Sequence, residues 1–261
     1  MKVVINPLYS DRPDVKTFFD HLEGHFSKEG EELFRGRNQI RQFVVDGHDA
    51  VLKRVVVKRF RRPNFFQSVA YSFFRANKAR RAYANADTLL ERGFSTPRNV
   101  GFAEDWRGGL LKYCFYATGY DEGLPIRRRL IEPADFDKGM ASDFGVFAAS
   151  LHKHGILHGD LNSTNVLYHE AGDGHFTFSV IDINRMRVGR SIDDFSREEL
   201  FENMTRFTGR MDLFEYVMRV YIAAMGWDVE RFLPEALRIK ERHDARWRRR
   251  KAFFKRLKKV F

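Results

Sequence analysis

Leu157-His158-Gly159-Asp160-Leu161-Asn162-Ser163-Thr164-Asn165 is the stretch that most narrows what this chain can fold into, because of its spacing to a later acid. Asp182 stands seventeen residues after Asn165, directly behind the apolar run Phe178-Ser179-Val180-Ile181. Between them, Val166-Leu167-Tyr168-His169 and the run from Phe176 to Ile181 flank the turn-rich Ala171-Gly172-Asp173-Gly174, a pattern that predicts a β-hairpin. Antiparallel strands return to the end from which they started, so Asn165 and Asp182 are expected to come together. An amide oxygen and a carboxylate are hard donors of the kind that hold Mg²⁺ beside phosphate groups. Asp160, on the same loop, is spaced to accept a proton from an attacking hydroxyl or to orient it. A His-Gly-Asp in an Asx-turn with a satisfied histidine is the ordinary alternative. That alternative accounts for the triplet, but not for the agreement of Asn165 and Asp182 with it.

The arrangement matches the H-x-D-x-x-x-x-N catalytic loop of kinases followed by a metal-binding aspartate. A chain of 261 residues buries a sizeable core and suits one two-lobed domain or two small ones. Its single cysteine, Cys114, excludes an internal disulfide. The first residues lack the pattern of a secretory signal, and no apolar run has the length of a membrane span, so a cytosolic protein is expected.

Charge is unevenly placed. Twelve Lys and Arg face only Glu241 and Asp244 between Arg238 and Phe261, so this tail carries ten of the eleven net positive charges. Trp247, Phe253, Phe254, Leu257, Val260 and Phe261 recur among the cations at helical spacing, which predicts a basic amphipathic helix over 238–261. An anionic membrane surface suits such a helix. Packing of its aromatic face on the preceding lobe, or contact with nucleic acid, are competing readings. A second basic segment, Ala50 to Ala86, contains no Asp or Glu and interleaves its cations with Phe60, Phe65, Phe66, Tyr71, Phe73 and Phe74. An anionic, partly apolar partner suits it, as do simple solvation and a phosphate cleft.

Short apolar runs from Glu32 to Phe60, broken at Gly36-Arg37-Asn38 and at Asp46-Gly47-His48-Asp49, predict a small antiparallel sheet. Lys58 ends its last β-branched run, placed either to meet nucleotide phosphates or to face solvent. A helix from Ala76 to Arg92, strands at Val100–Ala103 and Gly109–Thr118, a hinge over Tyr116–Tyr120, and helices at Asp135–His154, Ser196–Phe207 and Leu213–Met225 complete the expected elements.

Lys58, the His158–Asn165 loop and Asp182-Ile183-Asn184-Arg185-Met186-Arg187, in that order, resemble the lipopolysaccharide core kinases of the Kdo/WaaP family. The flanking Gly36-Arg37-Asn38, Val57-Lys58-Arg59-Phe60 and Asn77-Lys78-Ala79-Arg80-Arg81 add to the likeness, which spans roughly Phe34 to Trp227. It implies an α+β, two-lobed protein-kinase-like fold with a small antiparallel-sheet N-lobe and a mainly helical C-lobe. The expected division is 1–120 for the N-terminal segment and nucleotide-binding lobe, 121–235 for the catalytic lobe and 236–261 for the basic tail.

The resemblance further implies an enzyme that uses ATP and Mg²⁺ to phosphorylate a sugar, Kdo or heptose, of the lipid A-linked core oligosaccharide at the cytosolic face of the inner membrane. Asp160 would be the catalytic base, Asn165 and Asp182 the metal-holding residues and Lys58 the phosphate contact. Residues 238–261 would meet the anionic membrane, and no nucleic acid is expected as a partner. The usual glycine-rich nucleotide loop is missing, with Gly36, Arg37 and Asn38 as the local candidates for that role. Gly159 stands where many protein kinases have arginine, Asn184 where the Asp-Phe-Gly triplet has glycine, and no Ala-Pro-Glu motif comes after them, which favours a small acceptor over a protein. The helix after Lys58 offers only Asp87 and Glu91 as ion-pair partners. Two alternatives remain: a phosphotransferase of the aminoglycoside or choline kinase type, and a catalytically weak kinase-fold module that binds membrane or nucleic acid through its tail.

Overall fold

Alternation along the run that ends in Lys58 sets the first half of the structure. Val55 and Val57 point to one face, where both are buried, so Val56 and Lys58 point to the other. In the computed structural model, which describes residues 1–45 and 52–257 with backbone only for Phe254, Arg256 and Leu257, the chain forms two compact units. One comprises Met1–Glu122 with Asp182–Arg185, the other Gly123–Ile181 with Met186–Phe261. The chain is thus two-lobed, with a sheet-rich N-terminal region and a helical C-terminal region.

The first unit contains β1 (Lys2–Ile5), α1 (Pro13–Asp20), α2 (Leu22–Lys28), β2 (Glu31–Arg35), β3 (Gln39–Val44), β4 (Arg54–Arg59), α3 (Phe65–Phe73), α4 (Lys78–Glu91), β5 (Asn99–Arg107) and β6 (Leu110–Gly119). Its strands make one antiparallel sheet in the order β1-β5-β6-β4-β3-β2. Phe19 of α1 and Leu22 and Phe26 of α2 are buried against Phe43, Val55, Val57 and Phe115, with Phe26 and Phe115 in edge-to-face contact at 5.5 Å. Gly101 admits the edge strand: a Cβ there would stand 2.5 Å from the Val4 carbonyl oxygen and 2.9 Å from Phe19. Of the hinge expected over Tyr116–Tyr120, all but Tyr120 lies inside β6, where Ala117 is fully buried and its neighbours complete the ladder. The turn expected at Asp46–Asp49 lies outside the described residues.

The second unit contains β7 (Leu124–Pro125), α5 (Arg127–Leu130), α6 (Lys138–Lys153), β8 (Ile156–Leu157), β9 (Val166–Glu170), β10 (Phe176–Val180), β11 (Arg187–Val188), α7 (Arg197–Met204), α8 (Met211–Ala224) and α9 (Val229–Leu257). The helices owe their starts to local chemistry. Asp137 accepts the Met140 amide at the head of α6, and Ser196 with Glu199 forms a reciprocal capping box at the head of α7. Phe144, Ala148 and Leu151 of α6, Phe201 of α7 and Leu213, Phe214, Val217 and Tyr221 of α8 are all buried, and Phe201 and Tyr221 are in edge-to-face contact.

The basic tail is the second half of a continuous helix. Leu233, Ala236 and Ile239 of α9 are buried, while Arg242 and Arg246 pair with Glu198 and Glu202 of α7, each at 2.9 Å. Beyond that point Trp247 and Phe253 are exposed. Residues 258–261 lie outside the described ones, and among the described residues no helix is long and apolar enough to cross a membrane.

Candidate active site

The hairpin expected from the spacing is formed by β9 and β10, which pair from Phe176↔Glu170 to Val180↔Val166. The ladder continues one step further, where the Ile181 amide donates to the Asn165 carbonyl at 2.9 Å. Asp182 is the next residue in the chain.

The loop before β9 is fixed by its own polar groups. Asn162 accepts from both the amide and the hydroxyl of Thr164, at 2.9 and 2.6 Å, an Asx-turn that reverses the chain. Asn165 donates from Nδ2 to the Asp160 carbonyl at 2.9 Å, so the two residues sit together. Its Oδ1 has no hydrogen-bond partner among the described residues. His158, almost fully buried, donates from Nε2 to the Ile181 carbonyl at 3.0 Å and accepts the Asp160 amide at Nδ1, which fixes its tautomer. The Asp160 carboxylate receives Arg206 of the segment after α7 on Oδ1 at 3.0 Å.

Gly159 explains the missing arginine. Its φ of 76° lies in the left-handed region open to glycine, and its amide donates to Oδ1 of Asn203 at 2.8 Å. Asn203 in turn donates from Nδ2 to Nε2 of His152 at 2.9 Å, and His152 therefore donates from Nδ1 to the Tyr221 hydroxyl at 2.6 Å. Burial pushes the His152 imidazole down to about 3, so it is neutral, and pushes the Tyr221 hydroxyl up. A buried polar chain thus runs from α8 through α6 and α7 to the backbone of the loop.

In the first unit, the outward face of β4 brings Lys58 to Asp182, Nζ to Oδ1 at 2.5 Å. Asn184 donates to the same oxygen at 2.6 Å, which gives the residue in the glycine position a definite task. Asp182 has φ 59°, the one positive φ of a non-glycine among the described residues. Such a conformation persists only where its surroundings impose it. Asn85 of α4 helps to impose it by donating to the Ile183 carbonyl at 2.7 Å. The ion-pair partner of Lys58, left open by the sequence, is Asp182, while Asp87 of the helix accepts Asn99 at 2.8 Å.

A phosphate-bound Mg²⁺ needs only one or two protein oxygens, so an Asn and an Asp are a fitting donor set. Among the described residues no group of three or more His, Cys, Asp and Glu gathers to hold a metal by itself.

The lipopolysaccharide kinase (Kdo/WaaP) family matches residues 130–233, the span that contains the loop, the hairpin and Asp182. Residues 130–233 are thus Kdo/WaaP-like. A solved structure, WaaP in complex with acyl carrier protein, is similar over 97% of this chain and 98% of its own, with a TM-score of 0.57 and 16% identity. No curated protein matches the sequence.

Gly36, Arg37 and Asn38 form the turn between β2 and β3, where Gly36 donates to the Asn38 carbonyl and Asn38 accepts the Arg61 amide. Burial, and then the charges of Arg37, Arg185 and Arg81, hold the half-buried Lys78 ammonium below its usual value. The turn therefore brings the charge of Arg37 to bear on Lys78. Arg187 is held by Glu199 at 2.6 Å, and this partner with the Ser196 cap brings the Glu199 carboxyl to about 2. Arg206, Asn203, His152 and Asn85 are the site neighbours that the sequence pattern did not single out.

Proposed function

We propose that the chain is an ATP-dependent phosphotransferase acting on a sugar hydroxyl, Kdo or heptose, of the lipid A-linked core oligosaccharide. The observation that carries this reading is the loop from His158 to Asn165. There, a carboxylate and an amide oxygen are held together by bonds that leave Asn165 Oδ1 to a ligand. On this reading Asp160 accepts the proton of the acceptor hydroxyl as its oxygen attacks the terminal phosphorus of ATP, the bond from that phosphorus to the bridging oxygen breaks and ADP leaves with the electron pair, while Arg206 holds the carboxylate in orientation. Lys58 meets the phosphates, with Gly36, Arg37 and Asn38 closing over the nucleotide.

Asn165 and Asp182 would hold Mg²⁺, which when bound supplies neutralisation of the charge on the transferring phosphoryl group. Residues 1–120 would then serve the nucleotide, 121–235 the chemistry, and 236–261 the membrane surface on the cytosolic side. Since a related protein was solved with acyl carrier protein, such a carrier is a second partner to test.

The acid-free stretch from Ala50 to Ala86, with Arg185, Arg187 and Arg190 close after Asp182 in sequence, favours an anionic acceptor over the cationic ones of aminoglycoside- or choline-type enzymes. Incubation with ATP, Mg²⁺ and either Kdo-lipid A, a soluble aminoglycoside or choline, read by mass spectrometry for an added phosphoryl group, tests the choice. Phosphorylation of the glycolipid alone supports it. Transfer to a cationic acceptor in its place contradicts it.

A further inference from the structure

Helix α3 wears its apolar side outward. Phe65 and Phe66 at its start and Phe73 and Phe74 at its end are 66%, 82%, 71% and 84% exposed, whereas the residue it buries is Ser68. Ser68 donates its hydroxyl to the Leu111 carbonyl of β6 at 3.0 Å, and this polar contact seats the helix. A surface helix of a soluble domain normally turns its aromatic stripe to the core. Here Phe66 and Phe73 lie within about 20° of one another on the helical wheel and roughly 140–160° from Ser68, on the side away from β6, while Phe65 stands at the first turn about 60° from Ser68. The helix does not need those rings for its own formation. Asn64 and Gln67 cap its start reciprocally, and within each pair the rings touch only edge to face, at 5.9 and 6.3 Å.

The charges around the rings select what covers them. Arg61 and Arg62 precede the first pair and Arg75 comes after the second; all three are exposed, and none has an ion-pair partner among the described residues. No acidic residue occurs from Leu52 to Ala86. A hollow of about 470 Å³ beside Phe73 and Phe74 is lined by Arg75, Arg80, Trp106 and Lys2. Glu104 also lines it, already satisfied by Asn77, Arg80 and the Trp106 indole. A second copy of the chain is a poor partner, because a two-fold contact would set these arginines against themselves. Rings that stand clear of the surface, with cations at both ends, have the chemistry of a helix that lies in the interface of an anionic bilayer.

We infer that α3 is a membrane-docking element. It inserts Phe65, Phe66, Phe73 and Phe74 at the headgroup boundary of an anionic lipid surface while Arg61, Arg62 and Arg75 meet lipid phosphates. This is distinct from the tail at 238–261 and does not depend on phosphotransfer.

Flotation of the full chain with vesicles of phosphatidylcholine alone, or of phosphatidylcholine with phosphatidylglycerol, tests it. The chain is expected to bind the anionic vesicles, and F65S/F66S/F73S/F74S to lose about tenfold or more in partitioning. R61A/R62A/R75A is expected to lose the preference for anionic lipid. These positions are exposed, so the variants keep the fold, which circular dichroism checks. A companion, W247S/F253S, addresses α9. Cys114 is buried, so an environment-sensitive dye on Phe66→Cys reports on that site alone, and its emission should move to the blue with anionic vesicles. Undiminished binding by the four-serine variant, loss only in the α9 companion, an unchanged dye spectrum on bound protein, or binding to acyl carrier protein with none to vesicles would each overturn the inference.

Discussion

Asp160 and Asp182 both sit beside a cation, but they are held in place from opposite directions. Asp160 belongs to a loop anchored from behind, where Tyr221, His152 and Asn203 pass a line of buried hydrogen bonds to the Gly159 amide and His158 ties the loop to the hairpin. Its cation, Arg206, is 44% exposed and adds to an orientation that the backbone already sets. Asp182 is held by its side-chain partners, Lys58 and Asn184, on a left-handed backbone. Lys58 is only 14% exposed, so this pair is better shielded than Asp160–Arg206. The difference suits the proposed division of labour, in which Asp160 as base would have to point in one direction and Asp182 as metal carboxylate would trade one cation for another as ligands arrive.

The most severe way to break this comparison is to neutralise each aspartate. Asp160→Asn should lower kcat by about 10²- to 10⁴-fold with nucleotide affinity unchanged, read by steady-state transfer and ATP titration. Asp182→Asn should lower the rate by a comparable factor and also raise the Mg²⁺ concentration needed for half-maximal rate. If the two variants share the wild-type Mg²⁺ dependence, the division of roles fails. Lys58→Met comes next, with a loss of about 10²- to 10³-fold, the scale of removing one charge-stabilising donor. A loss confined to stability would instead make the Lys58–Asp182 pair structural.

His152 sharpens the contrast through pH. Its folded value of about 3 lies below the ordinary value of about 6.5, so between them the unfolded chain takes up a proton that the folded one refuses. Stability is fully present above about 6.5 and falls as pH drops toward 3. His152→Gln should flatten that slope by about 2 kcal/mol between pH 6.5 and 5 in denaturant titrations. An unchanged slope would show that the imidazole already titrates in the folded protein. Arg206→Ala should cost only a few-fold in rate, since the loop persists without it. Smallest of all, Arg246→Ala should change stability by less than about 1 kcal/mol, as an exposed pair does.

The loop and hairpin were legible because their information is local. A period-two run, a glycine-rich turn and a five-residue spacing determine which residues meet. Lys58's partner was not legible, since an acid is expected along α4, where Asn85 instead grips the Ile183 carbonyl. Asn203 lies forty-four residues from the glycine it holds, and nothing in an Asn within an amphipathic helix announces such a bond. For α3 the phenylalanines were visible, but periodicity reports a stripe and not which side of the helix finds a partner. The tail helix was legible from its spacing. What sequence could not supply is that Glu198 and Glu202 claim its first arginines.

The central claim, that this loop carries phosphoryl transfer, is tested most directly by tracking labelled γ-phosphate from ATP, with Mg²⁺, onto Kdo-lipid A in the wild type and in Asp160→Asn. The account predicts label on the glycolipid with the wild type and its near-complete loss in a variant that still binds ATP. Equal labelling by the two proteins, or none from a folded wild type, would contradict it.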